Sequence, residues 1–456
     1  MKEKMSNEKT GPVIAVTVIL SLFTAVCCAF LMVGKFQPEV ASDVKDALTF
    51  FYQEPETVTN KEEKPVSFVR LMCAGDNLVY NAVLSQSASS GGASGGYDFS
   101  GVYAGVKKLV SSADIAVVSH SGVLSDTIPP AAYPRFSSPT AVGDALCNAG
   151  FDVINQATAN IYGFDEAGVS DTINYWKTKE NAVMTGLYET PAEKTTVKTV
   201  EKNGITFAFL GFTQEITAAL SDSSKMYAIS LDQKDKTQAE VYNEIKAMIK
   251  IAKENADIVV VSMSFENNEK SVPSEAQNNI VNYLISFGAD IVIGSGTRTL
   301  QRAELISRDD GTKAAVAYSV GNLLSVMSAK ENFLGGIADI TVIKDGETQQ
   351  ASVEGIELIP VITYVGSGNT DVKVMPLSDF TQELSSTHGI YGFNLDFVNQ
   401  YLADNIGNDI VETKVKPYDE VREAVLKAKE AEKAEQEALS TSDPFAGDTT
   451  ADTTAQ

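Results

Sequence analysis

The sequence predicts an α/β protein, a layered sandwich preceded by one transmembrane helix and followed by a helical, then disordered, acidic tail. Three observations predict it. Short apolar runs alternate with amphipathic helical runs from residue 66 to about residue 325. Val13 to Val33 form a stretch of 21 residues without a charge. Residues 440–456 carry no core-forming pattern.

The uncharged stretch reads VIAVTVILSLFTAVCCAFLMV and as a helix spans about 31 Å, close to the thickness of a bilayer's hydrocarbon core. Lys2, Lys4 and Lys9 precede it and Lys35 closes it, although Glu3 and Glu8 dilute the bias. No A-x-A cleavage signal follows, and Thr24-Ala25-Val26 before Cys27 lacks the small residue of a lipoprotein signal. The expectation is an uncleaved signal anchor over 13–33, a cytoplasmic tail over 1–12 and an extracytoplasmic remainder. The partner this implies is the cell membrane.

Residues 34–65 are polar and proline-bounded, as in a juxtamembrane stalk. VSFVRLMCAGD, from Val66, reads as a buried strand, and the Ser/Gly-rich residues 85–96 as a flexible loop. GVYAGVKKLVSSA, TAVGDALCNAG and EAGVSDTINYWKTK read as helices, with DIAVVS and FDVINQA as the strands between them. VKTVEKNGITFAFLGF predicts a hairpin turning at Asn203-Gly204. A helix over 237–255, the strand ADIVVVSMS, a helix capped by Gly288, and the strands ADIVIGSG and AAVAYSVGN complete a domain over 66–345. Residues 346–416 form its C-terminal extension, more β-like and then helical. Residues 417–439 form a charged helix with Glu-to-Lys pairs at helical spacing.

Composition narrows the function. Sixty acidic against 36 basic residues give a net charge of −24, which repels phosphate backbones and excludes nucleic acid as a partner. Cys27 and Cys28 fall in the anchor, and no CxxC pair exists, so a thiolate zinc site is excluded. Cys73 and Cys147 read as small buried hydrophobes, with a disulfide between them left open. Only two histidines, His120 and His388, supply a domain of this size, and His388 is expected at the surface.

Six segments carry a resemblance to a known family. LMCAGDN holds Gly75-Asp76 at the end of the first strand. ADIAVVSHSGVLSD, FSSPTAVGDALCNAGFDVINQATANIYGFDEAGVSDTI, DIVVVSMSFE, GADIVIGSGTRTLQ and YSVGNLL follow in order. Together they resemble the CapA family of poly-γ-glutamate capsule synthesis, which is similar to calcineurin-like metallophosphatases in fold. That likeness implies a metallophosphatase-like sandwich and covers somewhat over half the chain.

Scaffold positions match the family: Gly75, Asp76, Gly150, Asp152, Gly294, Tyr318, Gly321 and Asn322. Ligand positions do not. Ser119, His120 and Ser121 stand for the Asn-Leu-Glu of the pattern ADLxxxNLExPL. Thr158, Ala159 and Asn160 stand for Asn-Asn-His, and Gly163 for the Asp after it. Ser264, Phe265 and Glu266 stand for His-Trp-Gly. In the pattern GADxVxGxHPHxxQ, Ser295, Gly296 and Thr299 replace the histidines, and Arg298 sits in that histidine-rich loop. Of the ligand set the resemblance implies, only Asp76 keeps its chemistry. Serine, threonine and glycine do not replace imidazole in a two-metal site, so no metal or other cofactor is expected.

The expected pocket comprises Asp76, Asn77, Ser121, Asn160, Ser264, Ser295, Arg298 and Asn322. Asp76, His120 and Glu266 are the candidate catalytic residues. Asp76 with Asn160 and Glu266 offers oxygen donors for a lone divalent cation, against Asp76 as a turn cap bonded to backbone amides. Arg298 could hold an anion or be a solvated loop residue. His120 is a relocated base or a structural histidine. No Ser-His-Asp set has motif support.

Three functions remain open. The first is a catalytically inactive binding or scaffold protein of the cell envelope, with an envelope polymer or a capsule-machinery protein as partner. The second is an active hydrolase or transferase rebuilt around Asp76, His120 and Glu266. The third is a structural envelope protein acting through its C-terminal helix and acidic tail.

Overall fold

A computed structural model describes residues 65–91, 96–222, 225, 227–407 and 410–441, with only the backbone over 435–441. The expected cytoplasmic tail, the anchor over 13–33, the stalk up to residue 64 and the acidic tail from 442 lie outside the described residues. Among the described residues no helix is long and apolar enough to cross a membrane.

The chain begins with β1 (Ser67–Asn77), α1 (Asn81–Ser90), α2 (Ser100–Val110), β2 (Ile115–His120), β3 (Val123–Leu124) and β4 (Ser137–Ser138). It continues through α3 (Ala141–Ala149), β5 (Val153–Asn155), α4 (Asp165–Lys177), β6 (Val183–Thr185), β7 (Lys198–Lys202) and β8 (Ile205–Thr213). Next come α5 (Gln238–Asn255), β9 (Ile258–Ser264), α6 (Glu275–Phe287), β10 (Ile291–Ser295), β11 (Ala303–Ser307), β12 (Lys313–Ala317) and β13 (Asn322–Leu324). Three strands, β14 (Leu334–Lys344), β15 (Ala351–Gly366) and β16 (Thr370–Pro376), precede α7 (Gln382–Thr387), α8 (Leu395–Asn405) and α9 (Tyr418–Thr441).

One sheet has the order β16-β15-β14-β1-β2-β5-β6, with β13 also paired to β1. The other has the order β11-β12-β10-β9-β8-β7. Parallel pairing joins β1, β2, β5 and β6 in the first sheet and β8, β9, β10 and β12 in the second. Strands buried on both faces read as continuous apolar runs, and β8 and β9 show why. Phe207, Phe209, Ile258 and Val260 face the core that also holds Leu71 and Cys73 of β1. Their neighbours Ala208, Leu210, Val259 and Val261 face a second core under α5 and α6, as a period of two requires.

The predicted hairpin forms, with β7 and β8 antiparallel around Asn203 and Gly204. Both long helices of the second layer open on capping boxes, Thr237 with Glu240 and Ser274 with Gln277. Gly288 closes α6 in the left-handed conformation.

Two expectations change. Residues 81–90, partly assigned to the Ser/Gly loop, are helical. Val83, Leu84 and Ser87 bury one side of α1, and the Gln86 amide brackets Val372 of β16 with bonds of 2.8 and 2.6 Å. That tertiary clasp outweighs the weak helix preference of serine. His388 is half-buried rather than at the surface. Its ring packs 4.5 Å from Phe393 and edge-on to Phe333, while Nε2 bonds the Thr363 carbonyl at 3.1 Å.

The strands after residue 330 extend the first sheet, and a buried ion pair fastens them to it. Arg70 of β1 bonds both carboxylate oxygens of Asp339 on β14, at 2.5 to 3.1 Å, and also donates to the Lys416 carbonyl at 3.0 Å. The charged helix forms as α9, docked by Tyr418 against Phe68 and by Lys429 on Glu354 at 2.8 Å. Cys73 is buried and Cys147 partly so, and both are free thiols.

Candidate functional site

One parallel strand from each sheet, β1 and β10, ends on the same cluster. At the end of β1, a Cβ on Gly75 would lie 2.0 Å from the Gly321 carbonyl oxygen, so only glycine lets β1 approach the turn before β13. That approach puts Asp76 in register with Asn322 and bonds the Asp76 amide to Gly321 at 3.1 Å. From the second sheet the turn after β10 arrives over Gly296, whose φ of +88° brings its backbone against Phe265.

Asp76 is 1% exposed. Its Oδ2 accepts from the Gly296 amide at 2.9 Å and from Arg298 Nη1 at 2.7 Å. Among the described residues, Oδ1 has no partner at hydrogen-bond distance, and neither does the Ser295 hydroxyl close by. Burial pushes the Asp76 carboxyl up, while the guanidinium and the Gly296 amide pull it back toward the charged form.

Arg298 is the residue around which the cluster closes. It sits in the left-handed region at φ 70°, which costs a non-glycine residue about 1–2 kcal/mol. Its carbonyl accepts from two side-chain amides, Asn322 at 3.0 Å and Asn332 at 3.1 Å. Those bonds over-determine the strained backbone, as expected where the conformation serves a purpose. The pattern GADxVxGxHPHxxQ, laid from Gly288 to Gln301, sets its histidines on Gly296 and Arg298 rather than on Thr299. A guanidinium therefore occupies the second histidine's place.

The other expected residues are not gathered here. Consecutive strand residues face opposite sides of a sheet, so Asn77 turns away from Asp76. His120, in register with Asn77, shares its face. There Asn77 Oδ1 accepts from the Tyr103 hydroxyl at 2.8 Å, and its Nδ2 donates to His120 Nδ1 at 3.1 Å. This orientation leaves the imidazole proton on Nε2, which is buried without an acceptor. His120 thus has no free lone pair with which to act as a base.

Ser121 and Asn160 bond each other at 2.9 Å, with Thr217 beside Asn160. Glu266 lines a cleft between α5 and α6 and receives no bond from Asp76 or His120. Ser264 is buried at the end of β9, its carbonyl accepting the Gln214 amide. Among the described residues no three His, Cys, Asp or Glu side chains converge as metal ligands. The residues present do not fit the metal centre that the resemblance implies, because the position facing Asp76 already carries a fixed positive charge. Tyr103 and Asn332 are not among the expected pocket residues; neither lies in one of the six motif segments.

Burial pushes the His120 imidazole down to about 4 from its ordinary 6.5. The unfolded chain takes up this proton near its ordinary pKa and the folded chain does not until about 4. The contribution to stability is therefore intact above about pH 6.5 and lost as pH falls toward 4, reaching roughly 3 kcal/mol. His120→Leu should remove that part of the slope in urea-unfolding free energies measured between about pH 7 and pH 4. Parallel curves for the two proteins would show that His120 is not held neutral.

The family described as Bacterial capsule synthesis protein PGA_cap matches residues 70–327. The PGA biosynthesis protein CapA of Bacillus subtilis (strain 168) is 27% identical over 179 residues, 39% of this chain and 44% of that protein. The capsule biosynthesis protein CapA of Bacillus anthracis is 26% identical over 181 residues, 40% of this chain and 41% of that protein. Each match spans less than half of the relative's length. Among solved structures, a novel phosphatase from Mycoplasma pneumoniae aligns at a TM-score of 0.40 and 13% identity, covering 65% of this chain and 95% of that one. A hypothetical protein from Thermus thermophilus aligns at 0.37 and 13%, covering 64% and 98%. The matched segment takes in every strand-end residue described above, and this chain belongs to the bacterial capsule synthesis protein PGA_cap family.

Proposed function

We propose that this chain is a catalytically inactive binding or scaffold protein of capsule and cell-envelope biosynthesis, held in the membrane by residues 13–33 with its folded part outside the cell. One observation carries the reading. The Arg298 guanidinium bonds the buried Asp76 carboxylate, at the place where the family resemblance puts a metal-binding histidine. A divalent cation in that position would meet a fixed positive charge at close range in a poorly solvated site, where like-charge repulsion is several-fold stronger than in water.

Binding suits what remains. Arg298 is itself only 10% exposed and already neutralised by Asp76, so the cluster is a buried ion pair rather than an open reaction centre. The net charge of −24 opposes long-range capture of a polyanion. A protein of the capsule machinery, or a polymer segment presented locally, is the partner that fits. The two Bacillus relatives, a PGA biosynthesis protein and a capsule biosynthesis protein, support this setting.

The full chain should stay with the membrane under alkaline carbonate extraction. In detergent it should not hydrolyse p-nitrophenyl phosphate or a γ-glutamyl amide above background when Mn²⁺ or Zn²⁺ is supplied. Metal-dependent turnover that disappears in Asp76→Ala would overturn the reading.

A further inference from the structure

The cleft that holds Glu266 has a lining unlike the Asp76 cluster. It is about 830 Å³ and open to solvent, and it runs between α5 and α6 from the carboxyl ends of β8 and β9. Its size falls within the range of small-molecule sites, and its position, outside strand carboxyl ends, is where open parallel sheets bind ligands.

Three aromatic rings form one wall. Tyr242 packs 4.8 Å from Tyr283, and Phe287, one helical turn beyond Tyr283, lies 6.1 Å from it. Tyr283 is 48% exposed, a large ring left open to water. Opposite chemistry lies within reach. The side chains of Asn243, Asn279, Asp232 and Glu266 also line the cleft, and none makes a hydrogen bond or ion pair with another described residue.

We propose that this cleft binds an oligosaccharide of pyranose rings. Sugar rings present apolar C–H faces, which stack on open aromatic rings, and edges of hydroxyls that both donate and accept. Uncommitted side-chain amides match such edges in both directions, and unpaired carboxylates accept from hydroxyls strongly. Other ligand classes fit less well. A phosphate-bearing or polyglutamate chain would face Asp232 and Glu266; no lysine lines the cleft among the described residues, and Lys246 lies over the Phe287 ring. An apolar ligand would strip water from four polar side chains without replacing it. The proposal stands apart from the reading of Asp76 and Arg298 and shares no residue with it.

The test uses the full chain in detergent and isothermal titration with tetra-N-acetylchitotetraose, its deacetylated form, and tetralysine. The expected result is binding of the sugar tetramers, weakened about tenfold in Tyr283→Ala and in Asn279→Ala. Tyr283 and Asn279 are exposed, so both variants should fold. No sugar binding at millimolar concentration, or binding that both cleft variants leave unchanged, would overturn the proposal. So would tetralysine binding as tightly as the sugars, which would make the cleft a site for cationic peptides.

Discussion

The contact between Asp76 and Arg298 is the constraint on which the site depends. It joins the end of β1 in one sheet to the turn after β10 in the other, across 222 positions of sequence. Neither charge would be stable alone at that depth. Removing one partner of a buried pair typically costs about 3–5 kcal/mol because the other is left uncompensated. Much around the pair exists to hold it. Gly75 and Gly296 permit the backbones to close, and two asparagine amides grip the Arg298 carbonyl so that its left-handed backbone persists.

The same arrangement explains how a family scaffold and a changed chemistry coexist. Asn322 matches the family motif, yet here its amide spans two carbonyls, those of Arg298 and Asn332, both at 3.0 Å. Gly321 and Gly75 let β1 and β13 close on each other, with Asp76 opposite Asn322. The strand ends are therefore held by backbone geometry, and the side chains around them are free to change. A cluster with unpartnered Asp76 Oδ1, Asn322 Oδ1 and Ser295 Oγ is polar enough to need Arg298 as its internal counter-charge.

Much of this was legible in the sequence. The alternation of apolar strands with amphipathic helices marked the layered α/β fold, because burial on both faces leaves a continuous apolar run. α1 was missed because its serines carry no helical signal, and the Gln86 clasp on Val372 that fixes it comes from 286 residues away. Motif order located Asp76, Ser295, Arg298 and Asn322 together, since the ends of β1 and β10 meet across the two sheets. Motif order did not reveal facing. A period of two sends Asn77 and His120 to the side away from Asp76, and Glu266 lines a cleft that no motif marks. Tyr283 and Phe287 stand four apart on α6, a spacing that also describes ordinary core residues, so sequence alone does not single them out.

The most direct test of the central claim is the metal content of the purified full-length protein. The protein would be dialysed against metal-free buffer, re-exposed to Mn²⁺, Zn²⁺ or Mg²⁺, and freed of unbound ion. If Arg298 holds the place of the metal, stoichiometry should stay near zero for all three ions. About one or two tightly held ions per chain, the occupancy of a mono- or dinuclear centre, would contradict the account.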